Sequence, residues 1–103
     1  MHKVPPREPT EDETIGVRLV RTRKVFGMQQ NEFAESAGIR RGTYTQWELG
    51  VRRPNLDDAI RLVRTYKLTL DWIYLGIPTG LPPQIYSQLV LPPKSRLVRD
   101  DQR

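Results

Sequence analysis

The stretch Gln30-Asn31-Glu32-Phe33-Ala34-Glu35-Ser36-Ala37-Gly38-Ile39-Arg40-Arg41-Gly42-Thr43-Tyr44-Thr45-Gln46-Trp47-Glu48-Leu49-Gly50 decides how the rest of this chain is read. Its first part puts Phe33, Ala34 and Ala37 on one side of a helix and Asn31, Glu32 and Glu35 on the other, the pattern of a short amphipathic helix over 30–37. Gly38 stops that helix, because glycine adopts the left-handed conformation that a tight exit needs. Ile39 follows directly, placed to plug the angle between two helices. A second helix then runs over 41–49, with Tyr44 and Trp47 three residues apart on an inward face and Arg41, Gly42, Thr45 and Gln46 on a polar outer face.

Upstream, Thr10 and Glu13 fit a capping box, and Glu11 and Asp12 add negative charge where the helix dipole is positive, so a first helix is expected to begin near residue 10. Ile15, Leu19 and Phe26 form its apolar stripe, Arg18, Arg21 and Lys24 lie elsewhere on the cylinder, and Gly27 ends it. Downstream, Val51-Arg52-Arg53-Pro54 reads as a loop. A fourth helix opens at Asn55 or Leu56, carries Asp57 and Asp58 in its first turn and Arg64 and Lys67 in its last, and turns Ile60, Val63 and Tyr66 to the core. Thr69 caps a fifth helix over 70–75, stopped by Gly76 and Pro78. After Pro82-Pro83, the spacing of Leu81, Ile85 and Leu89 allows a short sixth helix over 83–89, whose apolar side either folds back on the domain or meets a second subunit.

These elements fit one core in 103 residues. Of nine prolines only Pro54 interrupts the stretch between Pro9 and Pro78, which leaves that stretch free to be helical. The expected organisation is an N-terminal arm over 1–9, an all-α domain over 10–76, and an extension over 77–103 whose tail, 94–103, is charged and expected to be disordered. The net charge of +5 favours a polyanionic partner. Cysteine is absent, which excludes disulfides and thiolate metal sites and points to a reducing compartment. The lone histidine, His2, has no partner for metal binding or acid-base work, so no metal, cofactor or enzymatic activity is expected. No signal sequence or membrane span is apparent, and a cytoplasmic location is expected.

Two short helices joined by a glycine turn, the second polar on its outer side, form the unit that places a helix in the DNA major groove. The residues quoted above, with the ending Leu70-Asp71-Trp72-Ile73-Tyr74-Leu75-Gly76, resemble the phage repressor and Cro (XRE-type) helix-turn-helix family over roughly 14–76. That resemblance implies a five-helix lambda-repressor-like domain and carries roles to particular residues. Arg23 and Glu48 match a structural ion pair. Gln30 matches a phosphate-binding glutamine that also buttresses the recognition helix. Arg41, Gly42 and Gln46 match the base-reading positions, with Thr45 and Thr43 beside them for a thymine methyl or a phosphate. Arg40, Arg52 and Arg53 lie near the ends of the same helix, where phosphates would pass. Trp72 is either core or a dimer contact, and Ile85 and Leu89 are further dimer-contact candidates. Three departures from the family pattern stand out: Gln29 and Arg40 replace the usual caps, and Gly42 offers no side chain to a base.

The implied function is a sequence-specific regulator, a repressor in the first instance, that binds an inverted repeat of double-stranded DNA as a homodimer through the helix over 41–48. The alternative is a protein-interaction module of antitoxin or antiactivator type that acts through residues 81–90.

Overall fold

The computed structural model describes residues 13–90. These form five α-helices, α1 (Ile15–Val25), α2 (Gln30–Ser36), α3 (Arg41–Leu49), α4 (Leu56–Tyr66) and α5 (Pro83–Val90), with a π-helical segment, Asp71–Leu75, between the last two, and no strand among the described residues. The proposed cap at Thr10 lies outside the described residues. The described helix α1 begins instead at Ile15, where the Thr14 hydroxyl accepts from the Val17 amide at 3.2 Å. A threonine cap satisfies one of the orphan amides of the first turn.

The first helix is the brace of the fold, since α3, the π-helical segment and α5 all pack against it. Its buried residues are Gly16, Arg18, Leu19 and Thr22, while Ile15 and Phe26 are only half-buried. Arg18, which the sequence sets off the apolar stripe, is nonetheless only 3% exposed. Its guanidinium donates to the carbonyls of Glu13 at 2.9 Å and Ile73 at 3.3 Å, and lies 5.8 Å from the Trp72 ring centroid. Carbonyl acceptors and an aromatic face let a charged group stay buried that would otherwise be strongly penalised. Thr22 is fully buried too, and it is satisfied: it donates to the Arg18 carbonyl at 2.7 Å and accepts from the Trp72 indole at 2.9 Å.

Between α2 and α3 the chain turns at Gly38, which has a φ of +78°. The Ile39 amide returns to the Ala34 carbonyl at 2.9 Å, and the Ile39 side chain is buried. An aromatic cluster holds the two helices to α4: the Phe33 and Tyr66 rings stack at 4.2 Å, and Tyr44 meets Phe33 at 5.5 Å and Trp47 at 5.7 Å. The Tyr66 hydroxyl donates to the Phe33 carbonyl at 2.7 Å, so its one polar atom is paired inside the cluster.

The fourth helix is capped by Asn55, whose side chain accepts from the Asp58 amide at 2.9 Å. Its fully buried stripe is Ala59, Leu62 and Tyr66, with Ile60 and Val63 half-buried on the flank. The stripe expected through Ile60 and Val63 is thus displaced, because small Ala59 admits close packing where a bulky residue does not. Lys67 ends the helix with a φ of +61°. A side-chain residue in that left-handed region is strained, so Lys67→Gly is expected to raise stability by up to about 1 kcal/mol, net of glycine's greater freedom in the unfolded chain. Thermal unfolding reads that gain, and an unchanged or lowered Tm would contradict it.

Thr69 accepts from the Trp72 amide at 2.9 Å and starts the segment that buries Trp72 and Ile73. The described part of the extension, residues 77–90, does not project from the domain, and the tail over 94–103 lies outside the described residues. Leu81 and Leu89 are buried, α5 lies against α1, and Arg21 bonds both the Glu13 carboxylate at 2.7 Å and the Leu89 carbonyl.

Candidate nucleic-acid interface

The third helix is held from behind. Tyr44 and Trp47 are 0% and 2% exposed, which leaves Arg41, Gly42 and Gln46 open to solvent and Thr43 and Thr45 half-buried at the edges. Arg40, Arg52 and Arg53 are exposed at the two ends of the helix. The family-derived phosphate and base candidates are therefore gathered at one helix and its two ends, with Gln30 beside them.

Beneath this surface runs a polar chain. The Thr45 hydroxyl donates to the Gln30 side-chain oxygen at 3.2 Å, and the Gln30 amide donates to Glu48 at 2.8 Å. Arg23 clamps the same carboxylate through Nε at 2.8 Å and Nη2 at 3.2 Å, and its remaining nitrogen donates to the Met28 carbonyl at 2.9 Å. The side chains of Arg23 and Glu48 are only 13% and 4% exposed. Burial pushes the Glu48 carboxyl up, but the bonds from Arg23 and Gln30 and the adjacent Tyr44 hydroxyl outweigh it, and the group is held below the usual carboxylate range. Burial also pushes the Tyr44 phenol up, so it stays protonated. The Gln30 amide is thus held at both ends, its oxygen by Thr45 and one N–H by Glu48, with a second N–H to spare. Arg23, Gln29, Gln30, Asn31 and Arg41 line a polar concavity in front of this chain.

The two unusual cap positions behave differently. At α2 the Gln29 backbone amide is accepted by the Glu32 side chain at 3.0 Å, which completes half of a capping box. At α3 Arg40 makes no side-chain cap.

Other candidates sit away from this face. Trp72 is 0% and Leu89 2% exposed inside the chain's own core, and Ile85 is half-buried against it. The first two offer a second copy no surface without unpacking the domain, because the side of α1 that they cover would otherwise be open. Exposed apolar side chains lie elsewhere: Val17, Leu49 and Leu75 line one groove beside the C-terminal end of α3.

Two residues that hold the site were not singled out in the sequence. Gly16 passes so close to α3 that an added Cβ would lie 2.5 Å from the Glu48 carbonyl oxygen and 2.7 Å from that of Trp47. A glycine inside an otherwise amphipathic helix was its only signal. Tyr74 donates to the Pro54 carbonyl at 2.6 Å and so ties down the loop that carries Arg52 and Arg53. Nothing local in the sequence marks that contact. Among the described residues no acidic, histidine or cysteine cluster could hold a metal, and no helix is long and apolar enough to cross a membrane.

Comparison with known proteins brings out the same region. A family model described as helix-turn-helix matches residues 21–73. The chain is 31% identical over 68 residues to a Bacillus subtilis (strain 168) protein named uncharacterized HTH-type transcriptional regulator YobD, which covers 66% of this chain and 60% of that relative. The chain thus aligns with less than two thirds of the relative's length. No solved structure matches it.

Proposed function

This chain belongs to the XRE-type helix-turn-helix family, and from that premise we propose that it is a DNA-binding transcriptional regulator that reads sequence with the outer face of α3. The observation that carries the reading is the division of that helix: Arg41, Gly42 and Gln46 are open to solvent while Tyr44 and Trp47 lock its back into the core. A rigid helix with donors and acceptors on its free side is what the major groove accepts.

In this reading Arg41 bonds guanine O6 and N7, Gln46 bonds adenine N6 and N7, and Thr45, its hydroxyl already given to Gln30, offers its methyl to a thymine. The free N–H of Gln30, with Arg40, Thr43, Arg52 and Arg53, meets phosphates, and each phosphate neutralised steepens the fall of log K with log salt by about 0.9. The protein acts as a homodimer on an inverted repeat, its recognition helices about 34 Å apart, and represses by occupying a promoter in the cytoplasm. The second reading, a protein partner held by residues 81–90, loses support because Leu81 and Leu89 are spent on the chain's own core.

The test is selection of duplexes from a randomised pool by the wild-type protein, followed by titration of Gln46→Ala on the selected site at two salt concentrations. Gln46→Ala is expected to lose about 1–3 kcal/mol on the selected site and to keep both its non-specific affinity and its salt slope. A wild-type protein that enriches no sequence, or a Gln46→Ala variant that binds the selected site as well as wild type, would refute the reading.

A further inference from the structure

Among the described glycines, Gly42 is the one for which the fold itself supplies no reason. Gly27, Gly38, Gly50 and Gly76 have φ between +66° and +79°. Gly16 is pressed against the α3 backbone, and a Cβ on Gly80 would lie 3.0 Å from the Thr69 methyl. Gly42, in contrast, lies in the first turn of α3, is exposed, and would place an added Cβ in open space with nothing within 4 Å. A glycine inside a helix costs up to about 1 kcal/mol relative to alanine, and no contact among the described residues offsets that cost.

We infer that Gly42 is bare because the α3 backbone is approached there by its ligand, and that the approaching group is the C5-methyl of a thymine in the major groove. This rests on the DNA-reading function proposed above. Glycine is suited to places where a ligand comes close to the backbone. Gln46 stands one turn further along the same face, at i+4, and Arg41 is the residue before. The missing side chain therefore leaves a shallow notch between two long polar ones. Its outward floor is the apolar Gly42 Cα, since the unpaired amides of this first turn point along the helix axis and not out of this face. Of the groups that base pairs present there, the thymine methyl is the apolar one and fills such a notch without losing a hydrogen bond. Arg41 and Gln46 would then read the neighbouring base edges, and Gly42 would add discrimination through shape.

The test crosses protein and DNA. The duplex selected by the wild-type protein is remade with 2′-deoxyuridine in place of each thymine in turn, which deletes only the methyl. Wild-type protein and Gly42→Ala are titrated on every duplex, and the Tm of both proteins is measured. Gly42→Ala is expected to melt higher than wild type and to bind the thymine duplex about tenfold more weakly. One thymine per half-site is expected to weaken wild-type binding when it becomes deoxyuridine, and the same replacement is expected to improve binding by Gly42→Ala, because it vacates the space its Cβ needs. Equal binding by the two proteins, or a deoxyuridine scan that affects both alike, overturns the inference and leaves the DNA-reading function standing. A wild-type protein that selects no sequence overturns both.

Discussion

Glu48→Ala is expected to cost about 3–5 kcal/mol of folding stability, because it leaves a largely buried guanidinium without its carboxylate. Arg23 is 13% exposed and directs two nitrogens at this carboxylate. No other acidic side chain bonds it among the described contacts. The loss extends along the polar chain, since Gln30 is left without the acceptor that fixes it at 2.8 Å and Thr45 then bonds a glutamine free to turn. Denaturant unfolding should show the full cost in Glu48→Ala and a smaller one in Glu48→Gln, which keeps one acceptor oxygen. Because apolar pairs can replace buried ion pairs at little cost, Arg23→Met combined with Glu48→Leu is expected to recover most of the stability but not DNA affinity, as Gln30 remains unanchored. A cost below about 1 kcal/mol for Glu48→Ala would show that the pair is solvated and the network dispensable.

The same carboxylate sets a pH dependence. Its folded-state pKa is held below the ordinary value, so the unfolded chain binds the proton more readily. The stabilisation is therefore complete above the unfolded pKa of about 4.3 and disappears as pH falls from there through the lowered folded value. Glu48→Gln should flatten this acid limb of the stability curve.

The second large effect is expected at Gly16. Alanine is the better helix former by about 1 kcal/mol, yet Gly16→Ala should destabilise the domain by about 1–3 kcal/mol. The atoms that its Cβ would strike at 2.5 and 2.7 Å are backbone carbonyls of α3, and a backbone atom cannot rotate aside as a side chain can. Helices α1 and α3 must separate, which also tilts the recognition helix away from the Gln30 and Arg23 contacts. Weaker binding to the selected duplex should accompany the lower Tm. Gly42→Ala, in open space, is expected to shift Tm in the opposite direction, so the pair separates helix propensity from helix contact. A Gly16→Ala variant as stable as wild type would mean that the close approach relaxes freely.

Much of this organisation was already written in local pattern. The period of apolar residues and the glycines at 38 and 50 define α2, the turn and α3, and they assign Tyr44 and Trp47 to one face of α3 and Arg41 and Gln46 to the other. These features depend on neighbours a few residues away. The pairing of Arg23 with Glu48 came only through family resemblance, since neither residue's surroundings in the chain point to the other. What local pattern could not supply was what covers each face. Arg18 lies off the apolar stripe in the sequence, and its burial is not marked there because two of its partners, Ile73 and Trp72, lie more than fifty residues on. Trp72 and Leu89 could equally have met a second copy until α1 was seen to bury them. Helical period determines which side chains share a side, whereas burial depends on how separate helices dock, and that is decided by contacts made only after the chain has folded.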